Sequence, residues 1–302
     1  MNNITPFKSG DCISTEKREA AVTDAIVQGA LQEEGSTRKR LYALQEAVGS
    51  LPAIDFPLQH VFAPGVYART IFLPKNSIIL GKIHKHKHIN ILSQGKVSMV
   101  TESGGLEVLD GPVTMASLPG TKRAVFAHTN AIWTTIHLTE ETDLDKIEEE
   151  TIAKTYEEYD LFLAQQDYYR VLAETGYTHK QLVTISENIL DQVRLPKEIN
   201  YLVIKDSPIS GKGLFTEKEF SYGEYIGPAR ISGKRTLLGR YVNHSDKPNA
   251  EYVLLENGDL NTVAIKKIKA GDEILYDYRQ GASLYGVSLN QDEVRKTKEM
   301  LL

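Results

Sequence analysis

The amino-acid sequence predicts a mainly β fold with helical connectors. Short runs of β-forming residues, separated by Gly, Pro and Asn, fill residues 51–139, and similar runs return over residues 201–280. Between these regions, apolar residues recur every three to four positions, which is typical of helices. The chain has 302 residues, of which 41% are hydrophobic and 25% are charged. It is therefore long enough for two globular domains of ordinary composition.

Residues 1–50 are polar, and their pattern predicts a helical N-terminal arm. Gly35-Ser36 separates two runs of apolar residues at helical spacing. These apolar residues are Val22, Ile26 and Ala30 in the first run and Leu41, Leu44 and Val48 in the second. We expect the arm to dock on a neighbouring domain or on another subunit.

The pattern of residues 51–139 predicts a β-sandwich or barrel. Turn sequences such as Gln94-Gly95 and Pro119-Gly120 divide the region into short, evenly spaced strands. The predicted strands include Tyr67–Leu73, Ser77–Leu80, Ile89–Leu92, Lys96–Thr101 and Ala131–Leu138.

The spacing of apolar residues over residues 140–198 predicts a helical connector. Tyr168–Thr175 ends at Gly176, a residue type that often stops a helix. Thr178-His179-Lys180-Gln181 has the pattern of a capping box, so it predicts the start of the next helix. Pro196 closes that helix.

The composition excludes several classes of protein. The formal net charge of −5 argues against broad nucleic-acid binding, which favours a basic surface. The single cysteine, Cys12, excludes an intramolecular disulfide and a cysteine-based zinc site, and this indicates a cytoplasmic location. No stretch reaches membrane-spanning length, and the first residues lack the apolar core of a signal peptide. We therefore expect neither a nucleic-acid partner nor a membrane.

Three motifs in the C-terminal third carry the functional signal. They are Gly211–Phe215 (Gly-Lys-Gly-Leu-Phe), Arg240–Asn249 (Arg-Tyr-Val-Asn-His-Ser-Asp-Lys-Pro-Asn) and Gly271–Tyr278 (Gly-Asp-Glu-Ile-Leu-Tyr-Asp-Tyr). In this order and spacing they resemble the SET-domain protein-lysine methyltransferases. The resemblance implies a short SET domain, a β-clip fold, over residues 199–285. It leaves residues 286–302 as a tail with one short helix.

The resemblance implies transfer of a methyl group from S-adenosylmethionine to a lysine of a protein substrate. The lysine must be neutral to act as the nucleophile, so catalysis consists mostly of alignment and electrostatics. A narrow channel that excludes water also lowers the pKa of the lysine.

The resemblance also assigns roles to individual residues, beginning with the cofactor. The expected cofactor-binding residues are Lys212, Gly213, Leu214, Arg240, Tyr241, Asn243 and His244. An asparagine suits this work because its amide both donates and accepts hydrogen bonds. By local pattern alone, the glycine motif also fits a hairpin turn and Asn243-His244 also fits a polar loop around Pro248.

The expected catalytic residues are Tyr278 and Tyr276. In the family, the tyrosine matching Tyr278 orients the amine with its hydroxyl, and a protonated tyrosine is a dipole rather than a ready base. Tyr276 lies where the family has Phe or Tyr, and its hydroxyl is expected to favour mono-methylation. Glu273 is expected to tie down the local backbone. Ordinary strand packing is the alternative for both tyrosines.

The segment departs from the family pattern in three ways. The usual insert is nearly absent between Gly227 and Arg240, and the early Glu-x-Tyr-x-Gly strand is missing, with Gly223–Gly227 near its place. No cysteine cluster follows Tyr278, so residues 279–290, the connector helices or another subunit must close the lysine channel.

These departures leave a catalytically silent virion or assembly protein as the alternative function. The pairing of a barrel with a short SET domain resembles bacteriophage-encoded proteins. That resemblance implies that the protein is located in the cytoplasm of the host cell.

The predicted barrel resembles a cupin, a small jelly roll. The resemblance rests on Gly81, His84–His88, Gly95, Gly111 and Pro119-Gly120. His84, His86 and His88 are two apart and would face one side of a strand, and imidazole suits several transition metals. However, His88 stands where the cupin pattern has a glutamate, and Arg123 stands near the place of a histidine.

We therefore expect a scaffold without a metal, which serves assembly or binding. A homo-oligomer formed through the barrel or the N-terminal arm is an open alternative. A metal enzyme using His84, His88 and His137 is the other alternative.

Overall fold

The computed structural model describes residues 12–14, 37–49, 55–100, 105–284 and 289–294. The chain divides into two compact units, Met1–Tyr159 and Asp160–Leu302. The prediction of a mainly β fold with helical connectors is confirmed. Within the described ranges, no helix combines the length and the apolar character needed to cross a membrane.

The first unit is built from two antiparallel five-stranded sheets and one small strand pair. Their orders are β1-β4-β10-β7-β8, β2-β3-β11-β6-β9 and β12-β5. The strands are β1 (Cys12–Ser14), β2 (Leu58–Ala63), β3 (Val66–Leu73), β4 (Ser77–Leu80), β5 (Ile83–His84), β6 (His88–Gln94), β7 (Lys96–Val100), β8 (Leu106–Asp110), β9 (Val113–Ser117), β10 (Ala124–Ala127), β11 (Ala131–Leu138) and β12 (Ile152–Ala153).

The core of this unit takes apolar side chains from both large sheets. Leu92 and Trp133 come from one sheet, and Val97 and Met99 come from the other. In β6, for example, buried residues alternate with more exposed ones, which is the period-2 pattern of a half-buried strand. The strand pattern of residues 51–139 therefore yields two sheets that share one core.

Helices α1 (Thr37–Gly49) and α2 (Leu144–Thr151) also belong to the first unit. Leu41 of α1 is buried, and Asp143 caps α2 by accepting from two backbone amides. In the predicted helical arm, residues 12–14 instead form β1, which pairs with β4. The predicted helical run around Val22 lies outside the described residues.

Helix α3 (Tyr156–Thr175) is followed by α4 (His179–Glu187). The capping box predicted at Thr178 is confirmed, because its hydroxyl accepts from the Gln181 amide and the Gln181 side chain reaches back to the backbone of Thr178. The prediction that this helix continues to Pro196 is wrong. Asn188 ends α4 and caps a 3₁₀ turn with its side chain, since a short polar side chain competes for backbone amides.

The second unit contains three small sheets and α5 (Tyr278–Leu284). The sheet orders are β13-β14, β16-β15-β19-β18 and β17-β20. The strands are β13 (Leu202–Asp206), β14 (Lys212–Thr216), β15 (Tyr225–Ile231), β16 (Lys234–Arg235), β17 (Asn243–His244), β18 (Ala250–Leu254), β19 (Leu260–Ala264) and β20 (Leu275–Tyr276). Their shared core includes Leu214, Phe220, Ile226 and Ile274, all without solvent exposure.

The short parallel pair β17–β20 brings two sequence motifs side by side. Asn243 pairs with Leu275, and His244 pairs with Tyr276. Asn249 extends the pairing with its side chain, which donates to the carbonyl of Glu273 (2.8 Å) and accepts from the amide of Leu275 (2.8 Å). Of the predicted C-terminal tail helix, residues 291–294 are helical, and the part beyond them lies outside the described residues.

Candidate active site

The amide of Asn243 joins the three sequence motifs of the second unit. Its Nδ2 lies 3.1 Å from the carbonyl of Ser210, 3.2 Å from the carbonyl of Lys212 and 2.8 Å from Oε1 of Glu273. Asn243 itself is only 6% exposed. Three acceptors therefore converge on one point of the unit, and two of them are backbone atoms held by the β13–β14 hairpin.

The carboxylate of Glu273 fills the space beside the glycine motif. It accepts hydrogen bonds from Asn243 and from Oγ of Ser207 (3.0 Å). Burial raises its pKa, although these two bonds act in the opposite direction. A side chain at Gly213 would collide with this carboxylate, so glycine is required at Gly213 for the approach of Glu273.

His244 is fully buried and links β17 to two other elements. Its Nδ1 accepts the backbone amide of Tyr278 (3.0 Å), so the proton is on Nε2, which lies 2.7 Å from Oδ2 of Asp167. Burial by itself would raise the pKa of Asp167, but the hydrogen bond from His244 and the charge of Arg279 lower it. The imidazole thus fixes the start of α5 against α3.

A buried ion pair anchors α5 to α3 a second time. Nε and Nη2 of Arg279 bond Oε2 and Oε1 of Glu174 at 2.6 and 3.1 Å, and Glu174 is 1% exposed. This two-point geometry is the strong form of an arginine–carboxylate pair. Sequence reasoning missed Asp167, Glu174 and Arg279. No local pattern could have revealed the Glu174–Arg279 pair, since 105 positions separate its members.

The hydroxyl of Tyr278 donates to the carbonyl of Val242 (2.9 Å). Burial raises the pKa of Tyr278 well above its ordinary value, so the phenol is protonated at neutral pH. The ring of Tyr168 lies edge-on to it, with ring centres 6.3 Å apart. The phenol oxygen of Tyr278 is therefore a fixed dipole close to the Asn243–His244 strand.

Tyr276 lies deeper than Tyr278, in the core of the unit. It is 1% exposed, and its hydroxyl lies 2.6 Å from Oγ1 of Thr262. Its ring packs against Tyr252 with centres 4.1 Å apart. Burial raises the pKa of Tyr276, so this phenol is also protonated.

The residues of the glycine motif take different positions. The ammonium of Lys212 pairs with Asp206 at 2.5 Å on the exposed side of the hairpin, and only its carbonyl reaches Asn243. The side chain of Leu214 has no solvent exposure and packs in the core. The structure therefore brings the backbone of this motif, rather than its side chains, to Asn243.

Arg240 and Tyr241 form a stacked pair beside β17. The guanidinium of Arg240 lies 4.9 Å from the centre of the Tyr241 ring, and its Nε donates to the carbonyl of Ser186 (2.6 Å). The pair thus connects the Asn-His motif to the end of α4.

A separate histidine cluster lies in the first unit. The candidate ligand atoms of His84, His88 and His137 lie within 4.8 Å of one another. The prediction that His86 shares their face is wrong, because β5 ends at His84 and β6 begins at His88. Residues 85–87 form an irregular turn between these strands that leaves His86 exposed.

Comparison with known proteins supports the SET family for this chain. The SET domain family matches residues 133–279. The match begins inside β11 and includes α2, α3 and α4, so it covers more of the chain than the three motifs. A histone-lysine N-methyltransferase SET5 of Vanderwaltozyma polyspora is 29% identical over 96 residues, which are 32% of this chain and 19% of that protein. The chain thus spans about a fifth of that relative's length.

Several solved structures have some likeness to less than a third of this chain. A RmlC-like cupin from Shewanella frigidimarina has 16% identity and a TM-score of 0.25, with 29% of this chain and 78% of that chain covered. KdgF from Halomonas sp. has 13% identity and a TM-score of 0.25, with 29% and 81% covered. At these scores the likeness carries no conclusion, and the cupin-like character of the barrel stays a prediction.

Proposed function

We propose that the second unit carries an S-adenosylmethionine-dependent protein-lysine N-methyltransferase site. The observation that supports this proposal most is the convergence of Asn243, Glu273 and Tyr278 at the β17–β20 pair. The SET family match over residues 133–279 and the lysine-methyltransferase relative support the same chemistry. A bacteriophage origin stays a prediction.

The acceptors around Asn243 suit the amino group at the amino-acid end of the cofactor. The carbonyls of Ser210 and Lys212 and the carboxylate of Glu273 face one amide nitrogen. An ammonium group needs several acceptors and gains most from an ionised one. We propose that the cofactor's amino group donates hydrogen bonds to these three acceptors, which also accept from the side-chain amide of Asn243.

The second part of the site concerns the lysine. When bound, the cofactor would supply an electrophilic methyl group to the lysine amine, which would first lose its proton to solvent. The phenol oxygen of Tyr278 is held by Val242 with its hydrogen turned toward that carbonyl. Its lone pairs therefore stay available to accept from the lysine amine and to face partial positive charge. Tyr278 is a positioning dipole in this proposal and does not act as a base.

Mono-methylation is the outcome that the site supports best. Tyr276 keeps a phenol at the position that sets the degree of methylation in the family. Thr262 holds that hydroxyl at 2.6 Å, so the phenol cannot rotate away without leaving a buried hydroxyl unpaired. The intact mass of a methylated substrate peptide measures this outcome directly.

The experiment combines calorimetry with transfer of a labelled methyl group from S-adenosylmethionine onto candidate proteins. We expect Asn243→Ala to weaken cofactor binding, and Tyr278→Phe to lower turnover by about 100-fold or more while binding stays near normal. Tyr222→Phe is the matched control, because Tyr222 is 79% exposed on the same unit. A folded protein without cofactor affinity would overturn the proposal. Cofactor binding without any transfer would favour the catalytically silent assembly protein.

A further inference from the structure

The three imidazoles of the first unit form a converging cluster of buried nitrogen lone pairs. Ring centres are 4.0 Å apart for His84 and His88, and 5.1 Å apart for each of them with His137. Nδ1 of His88 bonds the carbonyl of His86 (3.0 Å), so its Nε2 carries the lone pair. That Nε2 and Nδ1 of His84 have no hydrogen-bond partner within the described part of the chain.

Such unpaired nitrogens point to a missing ligand. His88 is only 4% exposed, and a buried polar atom without a partner costs about 1–3 kcal/mol. An imidazole nitrogen with a free lone pair is the form that binds metal ions.

Two histidines of the cluster, His84 and His137, line a cavity of about 400 Å³, and His88 lies against both of them. This volume exceeds what one ion needs and is typical of sites for small molecules. The ionised side chains of the lining are Arg69, Lys82 and Arg123 against the single carboxylate of Glu148. Lys82 pairs with Glu148 at 2.5 Å, whereas the buried Nε of Arg123 has no partner among the residues described. The cavity therefore has an excess of positive charge and an unused donor.

We propose that this cavity binds one divalent transition-metal ion on His84, His88 and His137, together with a small anion that bonds Arg123 and completes the metal's coordination. Three neutral nitrogens favour ions such as zinc, iron, nickel or cobalt over magnesium and calcium, which take oxygen ligands. Nitrogens on one such ion lie roughly 3–3.5 Å apart. The rings therefore need to close by about 1 Å from the spacing in the structure.

The positive charge of the cavity is the reason to expect an anion beside the metal ion. A divalent ion beside Arg69 and Arg123 adds charge to a cavity that is already cationic, and neutral imidazoles do not offset it. A small carboxylate or phosphate satisfies both the metal and the Nε of Arg123.

The metal is tested on the full chain, stripped with chelator and titrated with Co²⁺. Trp133 is the only tryptophan of the chain and lines the cavity, so its fluorescence reports on this site. We expect one Co²⁺ per chain, quenching of Trp133, and at least about 100-fold weaker binding in His88→Gln and His137→Gln. His86→Gln is the matched control, because this exposed side chain is not one of the three ligands. Binding that is equal in His88→Gln and His86→Gln would overturn the site, and circular dichroism shows whether each variant is folded.

The anion is tested by adding malonate or phosphate to the Co²⁺-loaded protein and following its visible absorption. We expect one of the two to shift the spectrum at submillimolar concentration, which also distinguishes carboxylate from phosphate. Arg123→Gln should weaken that shift about tenfold or more while the Co²⁺ stoichiometry stays at one. No spectral change with either anion, or the same change in Arg123→Gln, would overturn the anion part. All of these residues belong to the first unit, so the outcome does not depend on the methyltransferase proposal.

Discussion

Single residues in the second unit hold the proposed site through buried charge. Asp167 is 3% exposed and lies against His244, whose other nitrogen holds the backbone of Tyr278. The carboxylate therefore acts on the phenol indirectly, through the imidazole and through Arg279, which follows Tyr278 in the chain. Its effect should appear in stability and in turnover more than in cofactor affinity.

We predict that Asp167→Asn destabilises the protein by about 1–3 kcal/mol at neutral pH, because His244 and Arg279 lose a buried negative partner. The lowered pKa of Asp167 means that its contribution is present above the ordinary aspartate pKa and is lost as pH falls through the lowered value. Urea unfolding at pH 7 and in acid measures this, with the difference from wild type shrinking in acid. Asp246→Asn, on an exposed residue that follows β17, is the control and should change little.

In the proposed site, Glu273 is the group expected to make cofactor binding depend on pH. Its raised pKa places protonation at higher pH than for an ordinary glutamate. We predict that affinity for S-adenosylmethionine falls as pH decreases through that pKa, since a protonated carboxyl no longer attracts the ammonium group. Glu273→Gln should bind about 10- to 100-fold more weakly at neutral pH and lose this pH dependence. If Glu273→Gln keeps the wild-type dependence of cofactor affinity on pH, a group other than Glu273 causes that dependence.

At the scale of elements, the short β17–β20 pair positions every proposed catalytic group. Two residues per strand are too few to make a stable parallel pair alone. The side chain of Asn249 adds a donor and an acceptor in line with the strands, as a further backbone unit would. This explains why a two-residue crossing persists.

We predict that Asn249→Ala costs about 1–3 kcal/mol, because the carbonyl of Glu273 and the amide of Leu275 lose their partner. Cofactor affinity should fall as well, since Glu273 belongs to the same segment. Calorimetry and urea unfolding measure the two effects, and Asn257→Ala in an exposed turn is the control. Unchanged cofactor affinity in a destabilised Asn249→Ala protein would separate this crossing from the binding site.

At the scale of the whole molecule, the two candidate sites use separate sets of residues. The histidine cluster lies within Met1–Tyr159, and the Asn243 site lies within Asp160–Leu302. Substitutions without shared partners are usually additive. We predict that His88→Gln removes Co²⁺ binding while S-adenosylmethionine affinity stays within about twofold, and that Asn243→Ala does the reverse. Calorimetry with both ligands on both variants measures this, and a large cross-effect would contradict it.

The sequence by itself determined the fold class, the capping box at Thr178 and the order of the three C-terminal motifs. These features follow from local rules, because strand and helix periods and cap chemistry depend on residues close together in the chain. The resemblance of these motifs to the SET family placed Asn243 and Tyr278 in one candidate site, but local rules could not give the residues that they contact.

Only the tertiary structure decided what those residues touch. It showed that the space at Gly213 is taken by Glu273, that Tyr276 bonds Thr262 inside the core, and that Asp167 stands behind His244. It also separated His86 from the histidine cluster and brought His137 into it. The physical reason is that such contacts join positions far apart in the chain. They depend on how the sheets pack, and sequence spacing carries no record of that packing.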